Sequence, residues 1–258
     1  MADETGPTRL DPTRTATALE FHRVAKRFDT GTEALSEVDL SVAAGEFVSV
    51  VGPSGCGKST LLRLAAGLER PTGGRVRASS DRLAFVFQDP TLLPWRTALA
   101  NVELVAELHG MPRSRRREQA NRALDTVGLA DFADQLPAHL SGGMRMRVSL
   151  ARALVLAPDL FLFDEPFGAL DEITRLRLQE EVQRLVHAGG FSALLVTHSV
   201  SEAVYLSRRV VVLSARPGRI VAEIDIPFEH PRPARLRFDA EFGRLAATVS
   251  DALAGEHT

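Results

Sequence analysis

The sequence contains very little cysteine, tryptophan and tyrosine, with one residue of each among 258. The single cysteine, Cys56, excludes an internal disulfide and suits a reducing compartment. No apolar run approaches the ~20 residues that a membrane-spanning helix needs, and the N-terminus carries no apolar segment of the signal-peptide kind. A net charge of −2 argues against a general nucleic-acid binder. We expect a protein that is soluble or reaches a membrane only through a partner.

The stretch GPSGCGKST has the spacing of a phosphate-binding loop, in which a glycine and four variable residues precede Gly-Lys-Ser. An apolar, β-branched run, 47–51, comes before it and predicts a buried strand, while leucines from Leu61 onward follow at helical spacing. The predicted nucleotide-binding residues of this stretch are Gly52, Pro53, Ser54, Gly55, Cys56, Gly57, Lys58, Ser59 and Thr60.

This loop has a clear chemical role at a strand-to-helix turn. Its glycines allow backbone N–H groups to point inward, and the helix that follows adds the positive end of its dipole. Lys58 is expected to reach the β- and γ-phosphates of a nucleotide, and the Ser59 hydroxyl to ligate Mg²⁺.

Acidic residues follow a second apolar strand, 160–163. Carboxylates at the end of a buried strand are costly unless they serve a ligand or a partner, and this end of an α/β sheet is where ligands bind. We expect Asp164 to hold the magnesium ion and Glu165 to polarise the water that attacks the γ-phosphate. His198 follows another buried strand, 193–196, at the same sheet end, which predicts a contact to the γ-phosphate.

A second helix start lies in LSGGM, residues 140–144. Ser141 followed by two glycines and a helical pattern predicts exposed backbone N–H groups, and therefore a second possible phosphate site. Taken alone, this signal is weak because Ser-Gly-Gly is also a common cap and turn.

The remaining pattern predicts an α/β fold with an inserted helical segment. Leu19–Val24, Val38–Val42 and Leu83–Phe87 have strand character, whereas Pro71, Gly73 and Gly74 predict a turn. Residues 89–157 hold helical patterns and no clear strand. The predicted divisions are a mobile tail over 1–17, a domain over 18–230 with its core in 18–88 and 158–230 and a helical subdomain in 89–157, and a short extension over 231–258.

Several features leave two interpretations open from the residues alone. Phe28 is either a core residue or an aromatic platform for a base. Leu92, Leu93 and Trp95 lie in a proline-containing loop and either pack inward or face a partner. The arginines of 113–117 suit nucleic acid or lipid headgroups, although a solvated helix start is favoured. Cys56 suits redox control, although a tolerated filler position is favoured.

Taken together, the motifs resemble the nucleotide-binding subunit of an ATP-binding-cassette transporter. GPSGCGKST, Gln88, LSGGM, LFLFDEP, GALD and His198 occur in that order, and the resemblance covers about residues 19–226. It implies a P-loop NTPase (RecA-like) core with an antiparallel β edge and an inserted α-helical subdomain. It also implies ATP and Mg²⁺ as cofactors and ATP hydrolysis coupled to transport.

The resemblance assigns a role to each matching residue. Lys58 and Ser59 match the Walker A positions, Asp164 the Walker B aspartate, Glu165 the catalytic glutamate and His198 the switch histidine. Gln88 matches the Q-loop glutamine, which ligates Mg²⁺ and senses the membrane subunit. Ser141, Gly142 and Gly143 match the signature motif. Asp171 matches the D-loop, and Phe28 matches the A-loop aromatic. These cassettes work as head-to-tail dimers, so the resemblance implies a second ATPase subunit.

A narrower resemblance is to importers of nitrate, sulfonates, taurine and related organic solutes. FQDPTLLPWRT, DEPFGALDEITR and ARPGRI carry it, while Met144 and Met146 depart from it where glutamine is usual. It implies permease subunits, an indirect link to a substrate-binding protein, no nucleic-acid partner, and a peripheral position on the cytoplasmic face of the bacterial membrane. It also favours the partner-facing interpretation of Leu92, Leu93 and Trp95. The alternatives are a lipid-trafficking or efflux cassette and a soluble cassette that acts on nucleic acid or ribosomes.

Overall fold

The computed structural model describes residues 16–255, so most of the predicted mobile tail, 1–17, lies outside the described residues. The strands are β1 (Thr17–Arg27), β2 (Glu33–Ala43), β3 (Phe47–Val51), β4 (Gly73–Ala78), β5 (Leu83–Val86), β6 (Leu160–Asp164), β7 (Ser192–Val196), β8 (Arg209–Leu213) and β9 (Ile220–Asp225). The helices are α1 (Lys58–Ala65), α2 (Ala98–Leu108), α3 (Arg113–Thr126), α4 (Gly142–Leu154), α5 (Glu172–Gly189), α6 (Val200–Leu206) and α7 (Ala240–Ala254). Short 3-10 helices span Ala130–Phe132, Pro137–His139 and Ala234–Phe238.

A six-stranded sheet in the order β5-β6-β7-β3-β8-β9 forms the centre of the molecule. Its strands are parallel except β9, which pairs with β8 in the antiparallel sense. All five residues of β3 and of β7 are buried, because both faces of these central strands are covered. The carboxyl ends of β3, β5, β6 and β7 therefore meet at one edge, where ligands bind in α/β folds.

A second sheet, in the order β2-β1-β4, is antiparallel and covers one face of the first. Helix α1 and apolar residues of β1, β2, β3 and β7 form one core between the two sheets. The other face of the six-stranded sheet packs against the remaining helices in a second core. The predicted α/β class with an antiparallel edge is confirmed.

The turn predicted at Gly73 and Gly74 is wrong, because both residues begin β4, which pairs with β1. A Cβ atom on Gly74 would lie 2.2 Å from the carbonyl oxygen of Arg23, so the two strands approach too closely there for a side chain. Val76 is the only apolar side chain between glycines and arginines in GGRVR. An edge strand of this kind lacks the apolar alternation that predicts a strand.

Between β5 and β6 the chain forms helices and no strand, as predicted for the insertion. The bounds of this insertion as a subdomain, 89–157, stay a prediction. The arginine-rich stretch begins α3 at Arg113. Two of its arginines pair with carboxylates of α2, with Arg116 3.5 Å from Glu107 and Arg117 3.7 Å from Glu103. These contacts support the interpretation of the stretch as a helix start.

The last segment is anchored by a buried arginine. Arg232 is 3% exposed, and its guanidinium donates to the carbonyl oxygens of Phe228, Val204 and Tyr205. Burial lowers the pKa of Arg232 to about 10. Helix α7 then packs on the second core through Phe242 and Val249, so the described part of the predicted extension is packed on the main fold. None of the helices within residues 16–255 is long and apolar enough to cross a membrane.

Candidate nucleotide-binding site

Residues 52–57 connect the buried strand β3 to α1 at the carboxyl edge of the sheet, and residues 58–60 of the predicted motif are the first of α1. Gly57 adopts φ +110°, and a Cβ atom there would lie 2.6 Å from the carbonyl oxygen of Ala34. Only glycine fits this left-handed position against β2. The loop backbone is thus held against a neighbouring strand before any ligand binds.

Lys58 extends back over the loop that precedes it. Its side chain is 6% exposed, and Nζ donates to the carbonyl oxygens of Gly52 at 2.7 Å and Pro53 at 2.9 Å. An ammonium held in this way is a fixed positive charge inside a ring of backbone groups, which is an arrangement suited to phosphate oxygens.

Ser59 and Asp164 come together across the sheet edge. The Ser59 hydroxyl donates to Oδ1 of Asp164 at 3.0 Å. Burial raises the pKa of the Asp164 carboxyl, while the hydrogen bond from Ser59 opposes that rise. Within residues 16–255, no group of three or more His, Cys, Asp or Glu side chains could hold a metal ion. A cation at this pair would therefore need ligands beyond such side chains.

Glu165 and His198 form the second pair. Nδ1 of His198 lies 3.1 Å from Oε2 of Glu165, and the Glu165 backbone is left-handed at φ +46°. The N–H of Glu165 donates to the carbonyl oxygen of Val196 at 2.9 Å, which ties the end of β6 to β7. A carboxylate held by a histidine at the sheet edge can accept a proton from a water molecule.

Gln88 approaches the same region from the end of β5. A Cβ atom placed on Gly168 would lie 3.5 Å from Nε2 of Gln88, 3.6 Å from the carbonyl oxygen of Glu165 and 3.8 Å from Cε1 of His198. The turn after β6 is thus surrounded by the predicted catalytic residues. The structure brings these residues together from three different strands.

The cleft above the loop joins one member of each pair, Ser59 and Glu165, to the predicted base platform. Its lining residues are Phe28, Thr32, Ala34, Ser54, Gly55, Gly57, Lys58, Ser59, Thr60, Glu165 and Arg216. Phe28 is half-buried at its rim, and the Lys26 ammonium lies 5.1 Å from its ring centroid. The position of Phe28 suits a platform for a base rather than a core residue.

Cys56 turns away from the cleft. Its side chain is 1% exposed, and a Cβ atom on Gly52 would lie 2.8 Å from its Sγ atom. Burial raises the pKa of the thiol, and the charge of Lys58 partly opposes that rise. A buried thiol of raised pKa is a poor nucleophile, which supports the favoured interpretation of Cys56 as a filler position.

The signature residues lie in a different place. Ser141 caps α4 by accepting from the N–H of Met144 at 3.2 Å, and Asp171 caps α5 by accepting from the N–H of Thr174 at 3.0 Å. Gly142 lines a second cleft with Gln88, and Gly143 packs against Thr174, where a Cβ atom would clash at 2.2 Å. Ser141, Gly142, Gly143 and Asp171 are absent from the lining of the first cleft.

The sequence interpretation gave no site role to Arg216. It lies in the turn between β8 and β9, and its Nε donates to the carbonyl oxygen of Gly55 at 2.9 Å. The contact joins residues 161 positions apart in the chain, and the only local signal is a Pro-Gly turn.

The family model described as ABC transporter matches residues 35–168, which include the phosphate loop, Gln88, the signature residues and both acidic residues. The chain belongs to this family. The chain is 47% identical over 95% of its length to aliphatic sulfonates import ATP-binding protein SsuB 1 of Mesorhizobium japonicum, covering 94% of that protein. It is 48% identical over 90% of its length to SsuB of Cupriavidus necator, covering 76% of it.

A solved ABC cassette has the same fold. The post-hydrolysis dimer of the ATP-binding cassette MJ0796, bound to ADP and Pi, superimposes with a TM-score of 0.72 at 32% identity, covering 82% of this chain and 100% of that one. The predicted P-loop NTPase core is confirmed. The chain of 258 residues is therefore an ABC cassette that binds and hydrolyses ATP.

Proposed function

We propose that this ATPase powers an importer of aliphatic sulfonates or of related small organic solutes such as taurine, with nitrate as a further candidate. One observation carries the proposal, namely near-half identity over almost the whole chain to proteins named for aliphatic sulfonate import. A sulfonate is a permanent anion, and crossing a bilayer core without a pathway is very costly for such a charge. Uptake of this solute class therefore requires coupled transport.

For hydrolysis, we propose that Lys58 holds the β- and γ-phosphates within the loop. Glu165 accepts the proton of the attacking water, and its hydrogen bond with His198 keeps the carboxylate in place. His198 is 61% exposed at its side chain, so it remains available to contact the γ-phosphate. The supporting geometry is the pairing of these residues at the edge where β6 and β7 end.

We propose that Ser59, Asp164 and Gln88 hold Mg²⁺ together with phosphate oxygens of ATP. Magnesium prefers oxygen ligands and in nucleotide sites uses one or two carboxylates, water and substrate phosphates. The Ser59–Asp164 contact at 3.0 Å supplies two such oxygens from adjacent elements. The ion supplies neutralisation of the charge that develops on the phosphates.

We propose that two copies assemble head to tail. The phosphate loop lines one cleft of the chain and Gly142 of the signature lines another, although both segments offer helix N-termini suited to phosphate. In a head-to-tail pair, Ser141 and the two glycines after it would complete the partner's phosphate loop. The dimeric form of the related cassette supports this arrangement.

We propose that the surface around Trp95 contacts the permease at the cytoplasmic face of the membrane. Trp95 is 73% exposed, which favours a contact with a partner. Leu92 and Leu93 are half-buried, which favours inward packing for these two residues. Asn101 is fully buried and bonds the backbone of Leu93 twice, at 2.7 and 3.2 Å. It also donates to the carbonyl oxygen of Arg96 at 2.9 Å, so the loop presents Trp95 from a fixed backbone.

Trp95→Ala is expected to weaken association with the permease and to leave ATP hydrolysis by the isolated chain unchanged. Loss of one exposed aromatic anchor in an interface costs about 2 kcal/mol or more, which is roughly a thirtyfold loss of affinity. Co-purification from solubilised membranes of the source cell measures it. Phe238→Ala, which removes a 90% exposed ring from a different segment, is the control. Equal permease recovery with both variants would argue against this surface.

Deletion of the gene is expected to abolish growth of the source cell on an alkanesulfonate as sole sulfur source, with growth on sulfate unchanged. Parallel cultures on taurine and on nitrate as the nitrogen source separate the three solutes. The wild-type gene should restore growth, and the Glu165→Gln gene should not. If the deletion strain grows on sulfonates and taurine as its parent does, the solute assignment is wrong while the ATPase assignment stands.

A further inference from the structure

The turn between β8 and β9, residues 214–219, is built against the phosphate loop. The Ser214 hydroxyl lies 2.8 Å from the carbonyl oxygen of Ala215 and 3.0 Å from that of Pro217, to either of which its one O–H can donate, and it accepts from the N–H of Arg219 at 3.0 Å. The backbone of Ser214 also donates to the carbonyl oxygen of Arg219 at 2.8 Å. One buried hydroxyl thus organises the whole turn.

Gly218 locks this turn to β2 and to the phosphate loop. Its N–H donates to the carbonyl oxygen of Ala34 at 2.9 Å, and its own carbonyl oxygen accepts from the N–H of Ser36 at 3.0 Å. A Cβ atom on Gly218 would lie 2.3 Å from the carbonyl oxygen of Cys56, so backbone meets backbone at this point. The position of Arg216, two residues earlier, is therefore set by main-chain contacts.

Arg216 projects over the phosphate loop from this turn. Its Nε donates to Gly55 at 2.9 Å, and its terminal NH2 group lies 3.1 Å from the place that a Cβ atom on Gly55 would occupy. The residue is exposed and lines the cleft together with Phe28 and Lys58. Within residues 16–255, no carboxylate forms an ion pair with it.

We infer that Arg216 is an additional nucleotide-binding residue and that its guanidinium contacts the α-phosphate of ATP. The inference rests on ATP binding at this loop. With the base on Phe28 and the β-phosphate inside the loop beside Lys58, the part of the nucleotide between them is the ribose and the α-phosphate. Arg216 lines the same cleft and offers N–H donors in a fixed fork, which suits the only anionic group in that part.

Arg216→Ala is expected to weaken the binding of ATP and of ADP by the same factor, about 5- to 20-fold, since a charge-assisted hydrogen bond at an exposed site is partly screened. ATP and ADP share the α-phosphate and differ only in the γ-phosphate. Equilibrium titration without Mg²⁺ measures both dissociation constants. Arg219→Ala is the matched control, because it removes the same charge from the same turn outside the cleft, and it should change neither constant more than about twofold.

Arg216→Gln tests whether Arg216 supports nucleotide binding through its charge or only through its hydrogen bond to the carbonyl oxygen of Gly55. Glutamine keeps a hydrogen-bond donor but carries no charge, so the variant should bind as weakly as Arg216→Ala, and raising the salt concentration should narrow the difference from wild type. Unchanged binding by Arg216→Ala, recovery in Arg216→Gln, or a loss for ATP alone would overturn the inference. Failure of the wild-type chain to bind ATP would instead refute the nucleotide site itself.

Discussion

Glu165→Gln is expected to lower the rate of ATP hydrolysis by about 10²- to 10⁴-fold, the range that a positioned general base contributes. Glutamine has nearly the same shape but cannot accept a proton from water. The carboxylate is 23% exposed and holds His198 at 3.1 Å, and the amide can keep that contact as a neutral hydrogen bond. The dissociation constant for ATP should stay within about twofold, because the lost interaction belongs to the transition state.

Phosphate release under saturating Mg-ATP measures this loss of turnover, and equilibrium titration measures the binding. Glu103→Gln provides the matched control, since that side chain is 13% exposed and pairs with Arg117 away from the cleft. It should hydrolyse ATP at the wild-type rate. Hydrolysis at that rate by Glu165→Gln would show that another group activates the water.

Lys58→Ala is expected to weaken ATP binding by about 10²- to 10³-fold, because a buried ammonium makes charge-assisted hydrogen bonds worth roughly 1.5–3 kcal/mol each to phosphate oxygens. The variant also removes the ammonium donor from the carbonyl oxygens of Gly52 and Pro53, of which Pro53 keeps the N–H of Cys56 at 3.3 Å. Lys58→Met fills the same space without a charge and should bind ATP as weakly as Lys58→Ala.

Thermal unfolding with and without ATP distinguishes lost binding from a collapsed loop. Lys58→Met should unfold near the wild-type temperature without nucleotide and should gain little stability from ATP. Arg75→Ala, which removes an exposed cation on β4, should keep the full stabilisation by ATP. Unchanged ATP affinity in both Lys58 variants would refute the assignment of the loop as the phosphate site.

The elements that bury a continuous apolar run were predictable from the sequence. Strands β3, β6 and β7 are of this kind, and the polar residues that follow them mark the sheet edge. Helix α6 went unpredicted because it spans only seven residues, which is less than the window in which a helical apolar period can be recognised. Strand β4 was not predicted because it is an edge strand with few apolar side chains to bury.

The site shows the same division. Lys58, Ser59, Asp164 and Glu165 each adjoin a predicted strand or helix, so their meeting at one edge follows from the order of elements. Arg216 could not be found in that way. Its contact with Gly55 depends on how a turn packs against a loop far away in sequence, and such packing has no local pattern.

The tight backbone contact of Gly218 with β2 and the phosphate loop fixes the distance between Phe28 and the phosphate loop. Phe28 lies in the connection between β1 and β2, and the loop, β2 and the Arg216 turn are joined through main-chain atoms rather than adjustable side chains. The spacing between base platform and phosphate cradle is therefore built in when the chain folds. The cleft is therefore preorganised for a nucleotide of one length. The free energy of nucleotide binding is not reduced by a rearrangement that brings the base platform and the phosphate loop to the correct distance.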